Sequence, residues 1–369
     1  MAPVHYHQGG FPPTERLDWQ RLAPALADAS LALGHYANAL RAMPNSDVLL
    51  SIMTRQEAVY SSSIEGTQAT VEDVLLYEAG HIPESTRLRE DIREVINYQA
   101  ALQQAGELLA EQSLSMDALL EVHQTLLSGV RGQDRNPGAF RANQNWIGVG
   151  GGTILDARYV PPGVNRMHEA LMAWLDYTLQ DSTSPLVRVA IMHAEFEAIH
   201  PFSDGNGRLG RILIPLMMWN YGLISKPLFN ASVRLEALRA QYMERLLAAS
   251  RDDDWTGWSV FFMQVVREQA CKDLEKMQKT RDLYDRLKTR ITEIGRSKYG
   301  IHVLDGVFKR PIFTTSDLVD ETIVPVRAAQ RILERLVDNG ILTEVRSGKG
   351  QSPSAYQFSE FLRIAAEGD

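Results

Sequence analysis

Cysteine is nearly absent: Cys271 is the only one in 369 residues. No intrachain disulfide can form, and a reducing, cytoplasmic setting is expected. An excess of positive charge is also missing. Lys plus Arg number 38 against 46 Asp plus Glu, a net charge of −8, which argues against broad nonspecific nucleic-acid binding by the whole chain. Long apolar runs are lacking too. The longest, residues 212–224, is interrupted by Pro215, Asn220 and Gly222; it is too short to cross a bilayer and reads as a buried helix, so no membrane partner is expected. The opening MAPVHYHQGGFPPTERLDW carries no apolar signal core. No G-x-x-x-x-G-K-[ST] loop occurs, which removes the Walker-type phosphate site. His193 and His200 are seven apart with no H-E-x-x-H, so HAEFEAIH cannot be read as a zinc hydrolase helix. No repeat of solenoid period is found.

What is present is ordinary globular material, 44% hydrophobic and 23% charged, in a chain long enough for two or three domains. Residues 1–20 contain Pro and Gly and are expected to be irregular. Leu22, Leu26, Leu31 and Leu33 are roughly helix-spaced until Pro44-Asn45-Ser46 breaks the pattern. Helices are expected at 47–61, 88–112, 115–130, 165–180, 186–199, 208–221, 234–250 and 254–296. Between Asn143 and Pro162 the period changes. Trp146, Ile147, Val149, Ile154, Leu155, Tyr159 and Val160 flank a glycine-rich centre, the pattern of a β-hairpin.

The segment His200–Arg211, HPFSDGNGRLGR, concentrates chemistry suited to a polyphosphate. Its glycines let a backbone approach an anion. The helix that follows offers unpaired N–H groups and the positive end of its dipole. Arg208 and Arg211, three apart, can lie on one side of the first turn. Asp204 is a hard oxygen ligand of the kind Mg²⁺ takes beside a substrate phosphate. His200 is a residue type that accepts a proton near neutral pH.

This segment resembles the signature of the Fic family, H-P-F-x-(D/E)-G-N-G-R-x-x-R, at every fixed position. Most members are AMP transferases that modify a protein hydroxyl. The resemblance therefore implies an enzyme that uses ATP and Mg²⁺ and takes a target protein as acceptor. It makes His200 the general base and Asp204 the metal ligand. Gly205, Asn206 and Gly207 become the anion cradle, Arg208 the partner of the β-phosphate and Arg211 that of the γ-phosphate. Leu209 and Gly210 complete the nucleotide-binding run, Phe202 anchors the loop, and Tyr242 stands where the family sometimes places an aromatic against the base. Upstream, Ser61-Ser-Ser-Ile-Glu65-Gly66 resembles the family's inhibitory motif, (S/T)-x-x-x-E-(G/N). By that likeness Glu65 pairs with Arg211 and withholds it from ATP; in some relatives the same glutamate helps water remove AMP. The hairpin would be the flap that binds the target as an added strand. Relatives with such a glutamate are often dimers, so a homodimer is implied as well.

The end of the chain is separate in pattern. FTTSDLVDE is a capped helix, PVRAAQRILERLVDN is a second helix opened by Pro325 and stopped by Gly340, and ILTEV and SAYQF are strands about the turn RSGKGQSP. This order resembles a winged helix. Arg327, Arg331 and Arg335 form a stripe that can face DNA phosphates, yet acids outnumber bases beyond Ile301. The expectation is a mainly α fold: residues 1–90 a helical segment with the inhibitory motif, 91–296 the catalytic core with its flap, and 297–369 a small α+β module of winged-helix type. Two other functions stay open at this level: a nucleotide-sensing DNA-binding regulator, and a transferase of the same fold using another donor such as UTP or a phosphocholine carrier.

Overall fold

The computed structural model describes residues 2–148, 153–180, 184–295, 297–346 and 354–367. Val149 and the glycine-rich centre of the expected hairpin lie outside the described residues, as does 347–353 of the expected C-terminal turn. Among the described residues the chain is mainly helical, with two small three-stranded sheets.

The elements run β1 (Val4–His5), α1 (Trp19–Ala42), α2 (Ser46–Leu49), α3 (Ser51–Ile64), α4 (Val71–Glu78), α5 (Thr86–Glu111), α6 (Met116–Leu126), β2 (Ile147–Gly148), β3 (Ala157–Val160), α7 (Val164–Leu179), α8 (Pro185–Ile199), α9 (Asn206–Asn220), α10 (Ala231–Ala237), α11 (Arg239–Arg251) and α12 (Trp255–Gly295). Then follow α13 (Gly300–Lys309), β4 (Ile312–Thr314), α14 (Thr315–Glu321), α15 (Val326–Asp338), β5 (Thr343–Arg346), β6 (Ala355–Gln357) and α16 (Ser359–Ala366). Short polar residues start many of these helices. Asp18, Ser85 and Ser115 accept hydrogen bonds from the first turns of α1, α5 and α6, and Thr70–Asp73 and Thr314–Asp317 form capping boxes.

The two helices that flank the loop of interest, α8 and α9, are buried on nearly every side. A helix buried all round belongs in the centre of a bundle: α8 packs against α7, α11 and α12, and α9 against α3, α5 and α10. The loop between α8 and α9 is thereby fixed at both ends to the buried centre of the bundle.

Several elements escape the period. α4, only eight residues long, and α13, which opens at Gly300, are too short or too irregularly started to give a repeating apolar stripe; α16 adds a last helix. The helix expected at 234–250 is two, α10 and α11, meeting at Leu238. Residues 4–5 are a strand rather than irregular chain, because β1 pairs in parallel with β3, Val4 opposite Tyr159. β2 pairs antiparallel with β3, as a hairpin requires. In the C-terminal part, β5 and β6 pair antiparallel, and β6 also pairs with β4, giving the order β4-β6-β5.

Candidate active site

The loop is shaped by two left-handed residues. His200 closes α8 at φ 48°, ψ 61°, and Gly205 opens α9 at φ 77°. A Cβ on Gly205 would also sit 3.3 Å from His123 Nε2, so glycine is required there twice over. Asn206 turns its side chain back on the loop: Phe202 N donates to its Oδ1 (2.8 Å) and its Nδ2 donates to Phe202 O (2.9 Å). Phe202 is fully buried, stacked on His123 with ring centroids 3.8 Å apart. His123 donates through Nε2 to Asp204 O (2.9 Å) and accepts from Gly138 N at Nδ1 (3.0 Å). Burial pulls its imidazole down to about 4. Arg141, also buried, donates to His200 O and Pro162 O and so ties the loop to the root of the flap. Asn145 Nδ2 donates to Phe202 O (3.1 Å), and Tyr159 OH on β3 donates to Ala198 O (2.9 Å).

A cleft of about 520 Å³ opens beside this loop. Its floor is Glu197, His200, Asp204, Gly207 and Arg211; one wall is Trp146, Ile147 and Tyr159 of the flap, the other Tyr242, Met243, Leu246 and Leu247 of α11. Burial pulls His200 down to about 4, so its imidazole is neutral at pH 7. Its Nδ1 lies 3.3 Å from Glu197 O; a carbonyl only accepts, which assigns the proton to Nδ1 and leaves Nε2 as a base. The Asp204 side chain is 41% exposed, with Oδ1 accepting from Gly205 N (2.6 Å).

Arg211 is the most constrained group in the cleft. It is 1% exposed, and three of its contacts come from the end of α3: Nε donates to Ser61 Oγ (2.9 Å), Nη2 to Ser61 O (2.9 Å) and Nη2 to Glu65 Oε1 (2.5 Å). Burial by itself would raise the Glu65 carboxyl, but the charge and hydrogen bond of Arg211, helped by the charge of Arg208, hold it below the usual range. Gly66 follows at φ 103° and lets the chain turn away. Glu65 Oε1 lies 2.2 Å from where a Cβ on Gly207 would stand; the carboxylate rests on bare backbone of α9.

The loop residues divide. His200, Asp204, Gly207, Arg211, Glu65 and Tyr242 meet in the cleft. Arg208 points mainly to α5: it is buried, its Nη1 donates to Glu94 Oε2 (2.8 Å), with Arg131 covering the other oxygen (3.0 Å), and its Nη2 lies 3.8 Å from Asp204 Oδ1 at the cleft edge. Leu209 is core, and Gly210 accepts from His193 Nδ1 (3.0 Å). For Asn206 the side chain is spent on the loop, which leaves only its backbone to face a ligand. Tyr242 is 1% exposed and donates to His193 Nε2 (2.9 Å), so its ring serves the core and the cleft wall together. His123, Arg141, Glu94 and Glu197 were not evident in the sequence. Each acts through a partner remote in the chain, apart from Glu197, which stands three residues before His200 and could have been noticed by that spacing.

On the C-terminal module the arginine stripe is incomplete. Arg327 and Arg331 are exposed, but Arg335 Nη1 donates to Ile294 O at the end of α12 (3.0 Å). The third cation caps a helix instead of facing outward.

The sequence matches the Fic/DOC family N-terminal region over residues 23–107 and the Fic/DOC family over residues 113–218, together just over half the chain. Protein adenylyltransferase fic-1 of Caenorhabditis elegans is 28% identical over 225 residues, 59% of this chain and 40% of that protein. A probable protein adenylyltransferase of Aquifex aeolicus is 24% identical over 197 residues, 52% of this chain and 55% of the relative. The chain thus spans about half, or less, of the length of these curated relatives. Among solved structures, a Fic family protein from Desulfovibrio desulfuricans superposes with a TM-score of 0.57 at 19% identity, over 97% of this chain and 98% of that one. Fic-1 of C. elegans gives 0.51 at 23% identity, over 74% and 75%. At these identities the likeness concerns the fold.

Proposed function

The chain belongs to the Fic/DOC family, and from that premise we propose that it is a protein adenylyltransferase restrained by its own Glu65. One observation carries the reading. Arg211, in the second turn of α9, is held by Ser61 and Glu65 inside a cleft that also presents a neutral imidazole and a half-exposed carboxylate. A carboxylate on that guanidinium occupies the place a terminal phosphate needs, since both offer anionic oxygens to the same planar fork of N–H donors.

The chemistry follows from the placement. Transfer of AMP requires a hydroxyl oxygen to attack the α-phosphorus while the bond to pyrophosphate breaks on the far side. His200 Nε2 takes the hydroxyl proton. The start of α9, with the N–H groups after Gly205, faces the phosphates. Arg211 orients the departing end once Glu65 withdraws. Arg208, its charge met by Glu94, holds the loop more than it holds a ligand in this arrangement. Asp204 fits Mg²⁺: one accessible carboxylate beside a phosphate site is the donor set that ion takes, completed by water and substrate oxygens. Bound there, the ion would offset charge on the phosphates. The flap edge, with Trp146 and Ile147 partly exposed, is where the acceptor segment lies.

The test is labelling of a cell lysate by the purified protein with Mg²⁺ and α-labelled ATP, GTP, UTP or a phosphocholine carrier. Glu65→Gly is expected to raise transfer from ATP at least several-fold. Glu65→Gly/His200→Ala is expected to abolish it, a loss of about 10²–10⁴-fold. Equal labelling by all forms, or labelling only from another donor, would reject the reading as stated.

A further inference from the structure

Glu197 is a charged side chain that the proposed mechanism leaves unused. It lies on the last turn of α8 and lines the cleft. Its Oε1 is buried with no hydrogen-bond partner among the described residues. That oxygen stands 2.5 Å from where a Cβ on Gly210 would be, one turn along α9 from the glycine on which Glu65 rests. Two carboxyl groups therefore lie on the bare Gly207–Gly210 face of α9 beside a single guanidinium, Arg211. Only one of them, Glu65, is bonded to it.

The groups facing Glu197 are Glu65 at the end of α3, Arg211 on α9 and Tyr242 on α11; its own helix adds His193 and His200, and Glu57 lies behind Arg211 on α3. Burial raises Glu197 to about 7, against the pull of Arg211 and with a further push from Glu65. His193 and His200, at about 3 and about 4, are neutral from pH 6 to 9, and Tyr242 is raised far above that window. Glu57, bonded to Tyr98 and Ser232, titrates near 7 as well.

We propose that Glu197 is a nucleotide-positioning residue that must be a neutral carboxylic acid when a polyphosphate lies on Arg211, its O–H then donating to a ligand oxygen. The inference rests on the nucleotide reading of the cleft. Glu65 ends a helix and can swing away when phosphate arrives. Glu197 sits within the last turn of a buried helix and cannot. As an anion it would face the incoming phosphates across a few ångströms of poorly solvated space, where like charges repel strongly. Taking up one proton removes the repulsion and supplies the buried oxygen's missing hydrogen bond. Binding is thereby coupled to proton uptake: carboxylate plus H⁺ becomes carboxylic acid, with no bond broken in the nucleotide. The apparent affinity is full below pH 7 and falls as pH rises, towards a tenfold loss per unit.

The experiment is calorimetric titration of Glu65→Gly and Glu65→Gly/Glu197→Gln with Mg²⁺–ATP from pH 6 to 9. Two buffers of different ionisation enthalpy are used at each pH to count protons. Glu65→Gly is expected to take up close to one proton at pH 8 and to lose affinity about tenfold per unit above that. The Gln variant, a permanent neutral donor of the same shape, should bind with a flat profile and no uptake, although Glu57 is intact. A flat profile without uptake in Glu65→Gly would overturn the proposal while leaving the nucleotide site standing. Uptake that persists unchanged in the Gln variant would assign the proton elsewhere. Absence of nucleotide binding by either protein at every pH would overturn the proposal and the adenylyltransferase reading together.

Discussion

Arg211 shows how much a single side chain can be asked to do. Its guanidinium is buried, yet three of its contacts come from one stretch, Ser61–Glu65, that lies 150 and 146 residues away in sequence. Glu65 is held ionised by that contact. A carboxyl whose folded value is depressed contributes stability that is present above its unfolded value and disappears as pH falls through the folded one. The melting temperature of Glu65→Gln should therefore lie below that of the native chain at pH 7, and the two should converge as the pH is taken below 4. A gap that stayed constant to pH 3 would mean the ion pair is not what the substitution removes. His123 and His193 give the opposite end of the same argument. Both are buried and neutral, drawn down to about 4 and about 3. The unfolded chain takes up their protons from about pH 6.5 downward while the folded one does not. Each contributes a loss on the order of 2 kcal/mol by pH 5, visible as a lower urea midpoint at pH 5 than at pH 7.

Among the elements, the corner between α8 and α9 depends on backbone freedom more than on attraction. Gly205 takes a left-handed φ of 77° at the start of α9. Gly205→Ala should cost about 1–2 kcal/mol in strain and push the loop off His123. Denaturant titration measures the first effect, and loss of nucleotide binding the second. The short strands and helices follow another rule. β1 has two residues and exists because β3 is beside it. Tyr6 OH and His7 Nε2, just beyond it, both bond the buried carboxylate of Glu195 on α8 (2.5 and 2.8 Å). No local period announces such an element, since its stability is borrowed from a strand some 150 residues later.

For the molecule as a whole, the C-terminal module is less separate than its sequence pattern. Ser51 Oγ at the start of α3 donates to Lys309 O (2.9 Å), and Gln56 Nε2 donates to Ala365 O on α16 (2.7 Å, buried). Val303, Phe308 and Phe361 belong to the same apolar cluster as α3 and α12. Helix α3 is thus gripped at one end by the C-terminal module and delivers Glu65 to the cleft at the other. We expect one cooperative unfolding transition in calorimetry rather than two, and a chain cut after residue 297 to aggregate from its exposed core. Two resolved transitions, with the second matching the isolated C-terminal piece, would show the module to be independent.

The sequence by itself determined the chemistry of the loop. HPFSDGNGRLGR carries its imidazole, its carboxylate, its glycines and its guanidinium groups within one helical corner, and the periods of α1, α5, α7, α8, α9 and α12 are long enough to be read locally. It could not determine which of two equivalent-looking arginines faces the cleft. Arg208 and Arg211 differ because Glu94 on α5 awaits one and Ser61 with Glu65 on α3 awaits the other. Nor could it separate Glu197 from any helix-end carboxylate. Those assignments are made by burial and by partners remote along the chain. Both are properties of packing, where the cost of an uncompensated charge is set by what surrounds it rather than by its neighbours in sequence.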